Sequence, residues 1–300
     1  MKQLLILIKR NTKLFFKDKG MFFTSLITPA ILLVLYATFL GNVYKESFLA
    51  ALPQGLDMAE KLINGCVGGQ LISSILAVSC VTVAFCSNML IVQDKATQSI
   101  KDLTIAPVKR STLAFGYYYS TLISTMIICL TATAICLVYI GFIGWYLSVV
   151  DVLCIISDVI LLVLFGTALS SVINFFLSTQ GQMSAVGTII SSGYGFICGA
   201  YMPISQFSDT LQKIIMLLPG TYGTSLLRNH ALRGVFEEME KSHFPEEAIK
   251  GIKDTVDCNI YFFGNEVGQP TMYIVLGLTV VLLISLYVFL NMRKEKKSKI

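Results

Sequence analysis

The chain has 300 residues, of which 55% are hydrophobic and 14% charged, with a formal net charge of +5. A soluble domain carries about 25% charged residues, and uninterrupted apolar runs of about 20 residues suit a bilayer better than one shared core. The basic residues sit beside the ends of apolar runs rather than on one face, which excludes a nucleic-acid surface and marks them as topology signals.

The opening MKQLLILIKR has too short an apolar stretch for a cleaved signal peptide. Leu4, Leu5, Ile8, Phe15 and Phe16 fall near one helical face and Lys2, Lys9, Lys13 and Lys17 on the other, predicting an amphipathic helix over about 1–19 along the membrane surface. Apolar runs then predict about six spans, near 22–41, 66–92, 112–140, 152–177, 183–202 and 271–291. Pro29 is tolerable inside the first, and Gly68, Gly69, Ser73 and Ser74 permit close packing of the second. Tyr117 to Tyr119, and on the far side Trp145 and Tyr146, read as interfacial aromatics.

Between the second and third spans lies a charged island, QDKATQSIKDLTIAPVKR, from Gln93 to Arg110. Ile100 and Leu103 form a small apolar face, Lys95, Lys101 and Asp102 stay wet, and Pro107 ends the helix. The segment 204–269 is read as external. Phe207, Leu211, Ile214, Ile215, Leu217 and Leu218 recur at helical spacing before Pro219-Gly220, predicting a short re-entrant helix. A second short helix is expected to carry Leu226, Leu227, Arg228, Ala231 and Leu232 and to end at Gly234, followed by a polar excursion from Val235 to Gln269. Most of the 23 Lys and Arg residues flank the N-terminus, the island and the C-terminal tail, so both termini and the island are expected in the cytoplasm of a plasma-membrane protein.

The sequence holds no G-x-x-x-x-G-K-[ST], HExxH or GxSxG, so neither a phosphate cradle nor a hydrolase site is expected and no metal or catalytic residue is assigned. Most of the eight cysteines lie in apolar runs; Cys66 and Cys258 both fall on the expected external side, where a disulfide is allowed but its geometry is not set by sequence. Asp158 is the one acid well inside a span. It either reaches interfacial water or a polar neighbour, or contacts a substrate or cation. Asn88 and Asn174, with several span serines and threonines, either line a translocation path or join helices by hydrogen bonds.

The island and the exit of the fifth span resemble the permease subunits of type-2 ATP-binding cassette (ABC) exporters over nearly the whole chain. In the island, Asp94, Lys95, Ser99, Ile100, Asp102, Leu103, Ala106, Pro107, Val108 and Arg110 fit that family's loop after span two, with Gln98 where glycine is usual. In GAYMPISQFSDTLQKIIMLLPGTYGTSLLR, the resemblance is carried by Gly199, Pro203, Pro219, Tyr222 and Arg228. It implies a single all-α permease domain over 1–300, with a coupling helix from about Asp94 to Ala106 docked on an ABC-type ATPase subunit through Ile100 and Leu103. It also implies an external gate that includes Phe207 and Leu211, and a second permease chain, homo- or heterodimeric. ATP and Mg would be bound by the partner; the chain itself would be non-catalytic and export an amphiphile such as a drug, lipid or peptide. The rival readings are an ion-coupled carrier acting alone and a membrane-anchored sensor or assembly factor.

Overall fold

The computed structural model describes residues 2–50, 59–105 and 108–297. Its first helix, α1 (Lys2–Lys17), buries Leu7, Asn11 and Phe15, spaced to meet one neighbour. Leu5, Ile6 and Phe16 point outward instead, so the packed face is rotated from the one expected.

Asp18 caps α2 (Lys19–Leu35) by accepting from the Met21 amide at 3.1 Å. The helix passes Pro29 unbroken, continues through a π-helical turn at Tyr36–Leu40, and runs on as α3 (Gly41–Ala50). Tyr36 and Tyr44 stack across that turn with ring centroids 5.5 Å apart. Next comes α4 (Glu60–Ala96), whose 37 residues span about 55 Å at 1.5 Å per residue, more than a bilayer requires. Nearly all of its apolar length is enclosed by the rest of the chain, with α2, α6, α7, α8 and α10 around it.

The short α5 (Ser99–Ile105) leads to α6 (Arg110–Ile143) and, past Trp145, to α7 (Val149–Phe176). A reciprocal capping box of Ser148 and Asp151 starts α7, and one of Thr179 and Gln182 starts α8 (Gln180–Ile197). Beyond a 3-10 turn (Ile204–Gln206) lie α9 (Asp209–Ile215), α10 (Pro219–Lys241) and α11 (Glu246–Thr255). The two-stranded hairpin β1 (Tyr261–Phe262) and β2 (Asn265–Glu266) precedes α12 (Gln269–Lys297).

Five helical stretches among the described residues, 19–46, 60–96, 110–143, 149–176 and 269–293, are long and apolar enough to cross a membrane. The protein is thus an all-α, multi-pass integral membrane protein. The expected fifth span is α8, which is more polar, with Gln182, Thr188, Ser191 and Ser192 along it, and it stops at Ile197 rather than near 202. Gly199 sits at φ +74°, a conformation costly for a residue with a Cβ, and the Ala200 and Tyr201 amides turn back to donate to the Gly195 carbonyl at 2.8 and 3.0 Å.

Gly234 does not end a helix, as its sequence position suggested; α10 continues through it to Lys241. The glycine is there because the backbone of Tyr146 crosses it: a Cβ at 234 would stand 1.8 Å from the Tyr146 carbonyl oxygen. The Gly234→Ala variant is expected to lose about 3 kcal/mol through this clash, read as a lower thermal unfolding midpoint in detergent. Gly251→Ala in α11, where the added methyl meets nothing within 4 Å, should be neutral or stabilising.

Candidate functional site

At the end of the bundle that carries α5, Asp94 and Lys95 belong to the last turns of α4 rather than to a surface helix. The Asp94 carboxylate accepts from Arg10 Nη1 at 2.8 Å and from the Tyr117 hydroxyl at 2.5 Å, which pins α4 to α1 and α6. Lys95 Nζ donates to the carbonyls of Asn174, Phe175 and Leu177 at 2.9, 2.9 and 2.8 Å. These are the orphan acceptors at the C-terminus of α7, where a cation is favoured.

Gln98 then takes φ +65°. The left-handed conformation explains why glycine is usual there in the resembling permeases, and Gln98 reaches it at a steric cost. The turn reverses the chain so that Ile100 and Leu103 pack inward on a patch containing Leu7, Ile91, Leu113 and Tyr117. They are half-buried within the chain itself. The exposed side carries Lys101, Asp102 and Ile105, and Ile105 is 82% exposed. Arg110 opens α6, while Pro107 lies outside the described residues.

At the opposite end, Arg228 is fully buried. Its Nη1 donates to Asp257 Oδ2 at 2.9 Å and its Nη2 to the Gly199 carbonyl and, at 3.4 Å, to Ser74 Oγ. Both Asp257 oxygens also accept from the Ile204 amide, at 3.1 and 3.0 Å. Burial pushes the Asp257 carboxyl up to about 6, against the opposing pull of Arg228 and the Ile204 amide. Pro203 is buried just before that amide, Pro219 occupies the first turn of α10, and the Tyr222 hydroxyl closes the α9–α10 corner on the Met216 carbonyl at 2.7 Å. Of the expected gate residues, Gly199 and Arg228 thus converge on one ion pair and Pro203 adjoins it. Phe207 packs against the cluster of Ile204, Met216 and Tyr222, and Leu211 is exposed. Sequence reading missed Asp257; its one signal was a lone acid inside the buried, otherwise mostly apolar stretch Val256 to Ile260.

Asp158 is wholly buried between α7, α10 and α12. One oxygen meets His230 Nδ1 at 2.6 Å and the other accepts from the Tyr273 hydroxyl, so of its two readings the pairing with polar neighbours is the one observed. Two turns along α7, Asp151 forms an ion pair with Arg233 of α10. Asn88 Nδ2 donates to Ser170 Oγ and Ser171 Oγ at 3.1 and 3.0 Å, a helix-joining role. The Asn174 side-chain amide is buried with no hydrogen-bond partner among the described residues.

A cleft of about 960 Å³ lies on the other flank of α4, lined by α2, the π turn, α4 and α8. Ile27, Ile31, Phe39, Met89 and Phe196 give it apolar walls, and Thr28, Ser184 and Thr188 give it hydroxyls. Asp18 is its one charged lining residue, and that carboxylate is engaged in capping α2. None of Asp158, Asn88 and Asn174 lines it.

Removing Arg228 strips the buried Asp257 of its counter-charge and leaves it with the Ile204 amide as a donor, so Arg228→Met is expected to cost about 3–5 kcal/mol. The double variant Arg228→Met/Asp257→Asn should recover part of this loss, and a thermal-denaturation double-mutant cycle in detergent measures the coupling.

The family model described as ABC-2 type transporter matches residues 2–231. That range takes in the α4–α5 corner, the cleft and Arg228, and stops short of Asp257 and the hairpin. A search of curated proteins found no match. With more than two thirds of its length matched, the chain belongs to the ABC-2 type transporter family and is a membrane subunit of an ABC transporter.

Proposed function

We propose that this chain is the permease subunit of an ATP-driven exporter of amphiphilic substrates. The α5 end faces the cytoplasm of a plasma-membrane protein, in keeping with the excess of Lys and Arg there. α8 is then the sixth span, its polar residues turned to the path rather than to lipid. A second permease chain closes the open side of the α2–α8 cleft, whose mix of apolar walls and hydroxyls suits a molecule with one greasy and one polar end. ATP and Mg are bound by the separate ATPase subunit.

The observation that carries this reading is the exposed face of α5. Lys101, Asp102 and Ile105 project from a seven-residue helix whose other side is packed on α1, α4 and α6. Such a helix is a handle: a push on Ile105 is passed through packed side chains to Leu7 and Leu113, and the Arg10–Asp94–Tyr117 contacts make α1, α4 and α6 respond together. An ion-coupled carrier is a second reading, motivated by the buried Asp158–His230 pair. Uptake by the chain alone in liposomes under an ion gradient, with no ATPase present, would establish it over the first.

Ile105→Glu is expected to lower co-purification of the ATPase subunit at least about tenfold, since a charge in a desolvated docking pocket costs more than 1.4 kcal/mol. Unchanged binding by this variant refutes the docking face. Ile100→Ala should instead leave binding intact and lower the unfolding midpoint, because its side chain packs within the chain. Lys95→Met leaves the three α7 carbonyls unpartnered by Nζ and should keep ATPase binding while reducing substrate-stimulated ATP hydrolysis; equal hydrolysis in both proteins would remove Lys95 from the transmission path.

A further inference from the structure

The hairpin before α12 presents an aromatic tip. Tyr261 pairs with Glu266 and Phe262 with Asn265, and alternation along the strand puts Tyr261 and Glu266 on one face and Phe262 on the other. The first face is polar: the Tyr261 hydroxyl donates to Asp254 Oδ1 at 3.0 Å, beside Asn259 Nδ2 at 2.8 Å. Phe263 and Gly264 form the turn at φ +48° and +86°. Both central residues are therefore left-handed, a turn that asparagine or glycine fills at least cost and a bulky aromatic fills poorly. An aromatic ring thus stands where the backbone disfavours it. It is 65% exposed and meets Phe262 edge-to-face at 4.8 Å.

The surroundings identify what covers these rings. The tip joins α12 through Val267 and Gly268 alone, so Phe263 lies within about 17–20 Å of the first turn of a membrane span by strand rise. Ile274 and Leu278 on that apolar helix are 60% and 59% exposed. Across a cleft of about 650 Å³ shared with Tyr261 and Phe263 stands α9, which turns Asp209, Gln212 and Lys213 to the cleft; Leu211 and Ile214 of that helix, and Leu217 just beyond it, are also exposed. Aromatic rings with apolar neighbours at the level where a span begins occupy the headgroup region of a bilayer.

We infer that the hairpin is a lipid-contacting anchor, seating Phe262 and Phe263 in the leaflet surface at which α12 begins. The anchor fixes the height of the α11–hairpin lobe, and with it Asp257, whose contact with Arg228 ties that lobe to α10. The inference rests on the assignment of α12 as a membrane span.

Trp145 is the only tryptophan in the chain, which permits a direct test. In the Trp145→Phe background, Phe263→Trp, and separately Phe262→Trp, are placed in nanodiscs containing phosphatidylcholine brominated either high or low on the acyl chain. The expected result is blue-shifted emission, stronger quenching by the shallow bromines than the deep ones, and protection from aqueous iodide. Red-shifted emission quenched by iodide and unaffected by bromine overturns the anchor in favour of a water-facing tip. Blue-shifted emission insensitive to bromine at either depth overturns it in favour of a protein contact, such as a second copy of this chain. Leu278→Trp in the same background separates the two levels of the argument: if it too escapes the deep bromines, α12 is not a span, whereas its quenching alongside an unquenched tip refutes the anchor alone.

Discussion

The structure depends on α4, a helix enclosed on almost every side. A buried helix cannot place its polar groups in water, and α4 meets this constraint largely with short side chains: Ser73, Ser79 and Thr82 donate to carbonyls of their own helix and Asn88 to α7, while the Gln70 amide is buried with no hydrogen-bond partner among the described residues. Its charges are confined to its two ends, Glu60 and Lys61 at the first turn and Asp94 and Lys95 at the last, where the carboxylate and the ammonium each have partners from other helices. With the axis so held, the remaining helices differ chiefly in how they are attached to it.

That difference divides the bundle. α7, α10 and α12 are joined to one another by charged contacts, Asp158 with His230 and Tyr273, and Asp151 with Arg233. Arg228 adds a link from α10 to the Asp257 loop and to the end of α8. A carboxylate in a low-dielectric setting is costly to separate from its donors, so these helices keep one arrangement. On the flank formed by α2 and the length of α8, hydroxyls bond within their own helices, as Thr188 does to the Ser184 carbonyl and Ser192 to the Thr188 carbonyl. Apolar packing and short hydroxyls hold that flank, and the cleft opens there.

Much of this was legible in the sequence. Long apolar runs give the spans because a bilayer imposes a length, and the family resemblance rested on the island and on the exit of α8, both of which fall inside the matched region. The orientation of α5 was not legible. A short helix with apolar residues at positions 100, 103 and 105 offers two faces of similar character, and which one is buried is decided by Leu7 and Leu113, residues distant in sequence. Gln98 was flagged only as a departure from glycine; its φ supplied the physical meaning. Asp257 and the partners of Asp158 escaped because ion pairs across 29 and 72 residues leave no local pattern.

The two ends of the molecule nonetheless use one device. At the α5 end, a lysine on α4 is held by the carbonyls that close α7; at the other, an arginine on α10 is held by the carbonyl that follows α8 and by Asp257. In each case the cation satisfies backbone acceptors that a helix terminus leaves unpaired, and in each it fastens a long helix to a neighbouring chain reversal. The joint at the α5 end ties α4 to the end of α7, and the joint at the far end holds the lobe of α11 and the hairpin to α10. Between the two joints, among the described residues, the packing of α2 and α8 along the cleft carries no such charged tie.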